Sequence, residues 1–69
     1  MVKLTSREYD VLTRLHKTNK EIAQELGISE FTVRVIYYNL SGKFNANTRT
    51  AIMVKALKLG LVDLDAFIL

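Results

Sequence analysis

The stretch FTVRVIYYNLSGK, residues 31–43, holds side chains suited to reading a nucleic acid and none suited to breaking a bond. On a helix, Phe31, Arg34, Val35, Tyr38 and Ser41 share one face, because residues three and four apart are neighbours. Arg34 can grip the O6/N7 edge of a guanine in bidentate fashion, worth about 1–3 kcal/mol of discrimination, and Val35 can touch a thymine methyl. Tyr38, one turn beyond Arg34, can reach a base or a phosphate. Thr32 stands near the start of the same helix, where its hydroxyl and the free backbone N–H groups favour an anion. Lys20 and Lys43 suit phosphate contacts, which set register rather than sequence choice. The plainer alternatives are a phosphate contact or a free surface charge for Arg34, an ordinary surface position for Val35 and partial core packing for Tyr38.

Other chemistries are poorly supplied. The chain has no cysteine and one histidine, His16, so neither a thiolate nor a histidine-based metal site can be assembled. No nucleophile–base pair is visible, and Ser6, Ser29 and Ser41 suit caps or surface positions. Neither an enzyme nor a cofactor is expected. No apolar run approaches the ~18 residues of a membrane span, and the start, MVKLTSRE, turns polar at once. A cytoplasmic location with no membrane contact is the expectation.

Charge is unevenly spread. Residues 1–30 carry five basic and five acidic side chains, whereas residues 31–62 carry Arg34, Lys43, Arg49, Lys55 and Lys58 with no acid. A segment of one sign suggests a polyanionic partner; the alternative is a solvated basic face.

Four helices can be read, with 69 residues enough for one domain. The first covers residues 6–16, with Thr5 and Glu8 in capping-box spacing and Val11, Leu12 and Leu15 as its core stripe. The second covers residues 19–26, with Thr18 and Glu21 repeating the capping box, Ile22, Ala23 and Leu26 facing in, and Gly27 ending it. The third covers residues 30–43 behind a Ser29 cap, and buries Val33, Ile36, Tyr37, Leu40 and Phe44. Tyr37 should point inward and Tyr38 outward. The fourth covers residues 48–59 and has two apolar stripes. Ile52, Met53, Ala56 and Leu59 form one. Val54, Leu57 and Leu61 form the other, which either meets a second copy or is covered by the apolar tail, residues 63–69.

The second and third helices form an abrupt corner. Ala23 is small enough for two helices to cross closely, Gly27 can take a positive φ in the turn, and Val33 and Ile36 wedge the third helix onto the second. This is the logic of a helix-turn-helix over residues 19–38, which holds its second helix where it can enter a major groove.

The segments LTSREYDVL, NKEIAQELGIS, TVRVIYYNLSGKF and NTRTAIMVKALKLGLV together resemble the LuxR-type helix-turn-helix domain of bacterial transcription regulators. The resemblance spans residues 4–62 and implies an all-α, four-helix LuxR-type domain over residues 1–62, with a recognition helix at about 30–43. It implies binding to double-stranded DNA through the third helix, pairing into a homodimer through the fourth, and a contact residue at Tyr38. There are departures. HKT is a short connection before NKEIA, Ile36 stands where histidine is common, and Asn45-Ala46 replaces a common Gly-Val. Arg49 matches a typical position and reads as structural, either paired with Glu8 or capping a neighbouring helix end.

The leading expectation is a sequence-specific DNA-binding transcription regulator acting as a dimer on half-sites about 10 bp apart or a multiple of that. The competing one is a protein-interaction module on the same fold, or a sigma-factor region-four-like domain, that docks on another transcription protein such as RNA polymerase.

Overall fold

Each of the four helices begins on a hydroxyl. In the computed structural model, which describes residues 2–68, they are α1 (Ser6–Leu12), α2 (Asn19–Leu26), α3 (Glu30–Phe44) and α4 (Arg49–Lys58). Met1 and Leu69 lie outside the described residues. The caps are Thr5, Thr18, Ser29 and Thr48, whose side-chain oxygens accept from the backbone N–H of Glu8, Glu21, Thr32 and Ala51. Glu8 and Glu21 reach back to the cap N–H, completing two capping boxes.

Three helices end on a residue of left-handed conformation: Gly27 (φ +68°), Asn45 (φ +50°) and Gly60 (φ +71°). The N–H one residue further on closes each end, Ile28 onto Ala23 O, Ala46 onto Ser41 O and Leu61 onto Ala56 O, at 3.0–3.1 Å. This satisfies carbonyls that would otherwise be orphaned. Asparagine tolerates the left-handed well better than most side chains, so Asn45-Ala46 makes the turn without a glycine.

The expected first helix is too long. α1 stops at Leu12, four residues short of His16. Thr13 is buried and its hydroxyl donates to the carbonyl of Tyr9 or Asp10. Beyond it the chain tightens into i−3 bonds: Arg14 onto Val11, Leu15 onto Leu12 and Lys17 onto Arg14. In a continuing α-helix the Thr13 carbonyl would accept from Lys17; here it accepts from Ile68 N–H at 2.9 Å. Leu15 is still buried, so the short connection keeps its apolar anchor.

The core is one cluster: Val11, Leu12 and Leu15 from α1 and its turn, Ile22 and Ala23 from α2, Val33, Ile36, Leu40 and Phe44 from α3, and Ile52 and Ala56 from α4, with Ala46 and Val62. α3 is the central element, packing on α1, α2 and α4. The tail closes over the same body. A 3₁₀ turn at Leu64–Ala66, started by the Asp63 carboxylate accepting from Ala66 N–H, carries half-buried Phe67 against the core, its ring edge-on to His16 at 6.2 Å.

Two ionic clasps tie the layers. Glu25 on α2 accepts from Arg14 Nε at 3.1 Å and from Lys17 Nζ, and the Lys17 bond with Arg14 behind it holds its carboxyl below the usual range. Glu8 on α1 is buried and accepts from Lys43 Nζ on α3 at 2.6 Å, while that ammonium also donates to Lys3 O at 2.8 Å. Burial pushes the Glu8 carboxyl up, but Lys43 together with the Thr5 N–H and hydroxyl outweighs it and leaves the group below its ordinary value.

Gly27→Ala should destabilise the domain by about 1–2 kcal/mol in urea unfolding, although a Cβ there meets nothing within 4 Å, because the cost is in the positive φ. Gly42→Ala, in the body of α3 with equally open space, should instead stabilise by about 0.5–1 kcal/mol. Because the Glu8 carboxyl is depressed in the fold, its contribution is present above the unfolded carboxyl pKa of about 4.3 and is lost as pH falls through the lower folded value. Glu8→Gln should therefore cost about 1–3 kcal/mol at pH 7 and progressively less below about pH 4, read by urea melts across pH.

Candidate nucleic-acid interface

The corner between α2 and α3 is built from the residues that the spacing singled out. Gly27 turns the chain and Ser29 at once caps the next helix, with Thr32 N–H donating to its hydroxyl at 3.0 Å. Ala23, Val33 and Ile36 are buried at the crossing. The opposite side of α3 therefore faces outward. Phe31 is 69% exposed, Val35 42% and Tyr38 70%. Arg34 is exposed and has no ion pair among the described residues. The tyrosines split as expected: Tyr37 is half-buried and donates from its hydroxyl to Asn47 O at 3.2 Å, and Tyr38 points out.

Thr32 lies beside this face, its hydroxyl sharing a 2.9 Å hydrogen bond with that of Ser29. Lys20 is exposed at the start of α2 and is likewise unpaired among the described residues. Lys43 is a different case. Its ammonium is committed to Glu8 and Lys3 O, so reaching a phosphate would break a clasp that holds α1 to α3.

The one-signed run of charge also reads differently in three dimensions. Of its five cations, three are spent inside the molecule. Lys43 pairs with Glu8, and Lys55 donates to Phe44 O at 3.0 Å and Asn45 O at 2.9 Å, capping α3. Arg49 donates to Leu15 O at 3.1 Å, Lys17 O at 2.8 Å and Asn19 Oδ1, and its guanidinium lies 5.6 Å from the centre of the Tyr37 ring. Of the two roles weighed for Arg49, pairing with Glu8 is not the observed one, since Lys43 takes that carboxylate, and the carbonyls it caps are those of the turn between α1 and α2 rather than of a helix end. A charge count cannot separate a capping ammonium from a solvated one, and nothing local to Lys55 signalled its role. Arg34 and Lys58 remain as the outward cations of that run.

On α4, Val54 is 42% exposed, while Leu57 and Leu61 are half-buried along a shallow groove shared with Tyr9, Leu64 and Ala66. The tail thus covers part of the second stripe and leaves Val54, with Leu59 at 60% exposed, uncovered. No helix among the described residues is long and apolar enough to cross a membrane.

Comparison with known proteins bears on what such a corner is. Residues 2–56 match the family described as bacterial regulatory proteins, luxR family. The spore germination protein GerE of Bacillus subtilis is 43% identical over 63 residues, covering 88% of this chain and 85% of GerE. The nitrate/nitrite response regulator protein NarP of Escherichia coli is 46% identical over 57 residues, which is 80% of this chain but 26% of NarP. The quorum sensing-dependent transcriptional regulator VjbR of Brucella abortus is 40% identical over 63 residues, 88% of this chain and 24% of VjbR. The chain thus spans most of one relative and about a quarter of the others. With the matched residues running through all of α1, α2 and α3 and most of α4, this all-α chain belongs to the luxR family of bacterial regulatory proteins.

Proposed function

We propose that the chain is a sequence-specific DNA-binding module of a cytoplasmic transcription regulator, with α3 laid in the major groove of double-stranded DNA. The observation that carries this is the outer face of α3. On a luxR-family helix-turn-helix corner it presents a guanidinium with no ion pair among the described residues, set among exposed side chains that lie outside the core. Arg34 reads a guanine edge, Val35 and Tyr38 touch neighbouring bases, and Lys20 and Thr32 hold phosphates on the flank. Lys43 is left out of this set because Glu8 already holds it.

A single module buries only about 600–1,000 Å² on DNA, so pairing through α4 supplies the second half-site. Val54 is the exposed member of the stripe that would meet a second copy, with Leu57 and Leu61 beside it.

The deciding experiment is an anisotropy titration into random duplex DNA at several salt concentrations. The DNA reading expects log affinity to fall with log salt at about −0.9 per phosphate contacted. No binding at low salt would instead turn attention to a protein partner such as RNA polymerase. On a selected duplex, Arg34→Ala should cost about 1–3 kcal/mol while nonspecific binding barely changes. Equal losses on both would move Arg34 to a phosphate. Lys43→Met should leave the salt slope unaltered. Val54→Glu should weaken self-association in sedimentation equilibrium with the thermal melt preserved, and a wild type that stays monomeric on and off DNA would remove the dimer.

A further inference from the structure

Phe31 has no structural role that explains it. It stands in the first turn of α3, is 69% exposed, and belongs neither to the core cluster nor to the partly buried side chains packed on it. Val35 and Tyr38, also outside that cluster, continue the same line one turn at a time. From Phe31 to Tyr38 the helix rises about 10 Å, close to three base steps of about 3.4 Å each. The leading edge of α3 is thus apolar, and Arg34 lies on its flank. An apolar edge pressed on the polar rim of a base pair would strip water from donors and acceptors without replacing it. The C5-methyl of thymine is the apolar group that a major groove offers.

We propose that Phe31 is a specificity-determining residue that, with Val35, takes thymine C5-methyl groups, so that the chain selects thymines beneath the N-terminal half of α3. This rests on the DNA-binding reading above and extends it to the class of base selected. Recognition is of the methyl group itself, so uracil is rejected although it pairs identically, and 5-methylcytosine at the same place restores the contact.

The test begins with a duplex selected from a random library by the full chain. Each thymine is then replaced singly by deoxyuridine, and wild type, Phe31→Ala and Phe31→Leu are titrated by anisotropy, with circular dichroism to verify the fold. Wild type should lose about four-fold at one thymine per half-site, the worth of one buried methyl group. Phe31→Ala should bind the thymine duplex at least that much more weakly and show no further loss on uracil there, whereas Phe31→Leu should keep part of the discrimination. The proposal is overturned if Phe31→Ala still separates thymine from uracil as wild type does, or if wild type is indifferent to every exchange, as it would be were this edge to meet a protein. Salt-dependent binding that ignores the methyl removes the role of Phe31 alone. Absence of any duplex binding at low salt removes the DNA reading and this assignment with it.

Discussion

One guanidinium ties the turn before α2 to the rest of the fold. Arg49, the first residue of α4, donates to the carbonyls of Leu15 and Lys17 and to the side chain of Asn19, and covers the face of Tyr37 on α3. Those carbonyls belong to a tight turn that has left the α-helix and has no intrahelical donors to offer them. A lysine in this place could bring three donors but not a planar fork with an aromatic-stacking face. The turn, the start of α2 and the middle of α3 are thereby referred to one rigid group, and with them the orientation of the corner. Since α3 packs on α1 and α2, its outward face inherits that reference.

The distribution of charge follows from the same economy. A domain of this size hides only about 60% of the surface its unfolded chain exposes and is marginal on that account, so polar tethers add to what apolar burial begins. Lys43 and Lys55 are used this way, one on a buried carboxylate and one on the last carbonyls of α3. Among the described residues Arg34 and Lys20 are exposed cations near the corner without an ion pair. A face with little charge and much exposed apolar area gains less from counterion release than a basic one. Selectivity on such a face has to come from the shape and chemistry of base edges, which is what the contacts proposed for Arg34, Val35 and Tyr38 would supply.

Much of this was legible in the residue order because local rules act over three to five residues. A hydroxyl with an acid three places on, an Ala–Gly spacing of four, and apolar positions at 33, 36, 40 and 44 each specify a conformation without knowledge of the rest. So α2 began and ended where its pattern said, and α3 ran one residue longer. What was not legible depends on partners distant in sequence. Just past the end of α1 the Thr13 carbonyl accepts from Ile68 N–H across the chain, and Lys43 is held by a carboxylate thirty-five residues away. The outward direction of Tyr38 followed from periodicity; the commitment of Lys43, also placed at the DNA by its charge, did not.

The turn after α1 is therefore gripped from two sides. Arg49 holds its later carbonyls from α4, while Ile68 and the ring of Phe67 hold Thr13 and His16 from the tail. The two grips come from elements that flank the second stripe of α4, where Leu57 and Leu61 line the groove that the tail partly fills. A partner settling on that stripe must accommodate the tail, and any shift of the tail bears on the Thr13 carbonyl and hence on the turn from which α2 departs. The outer stripe of α4 and the placement of the corner are in this way mechanically adjacent. The link is a short hydrogen-bonded turn, so its stiffness depends on whether Thr13 and the two carbonyls beyond it keep their donors.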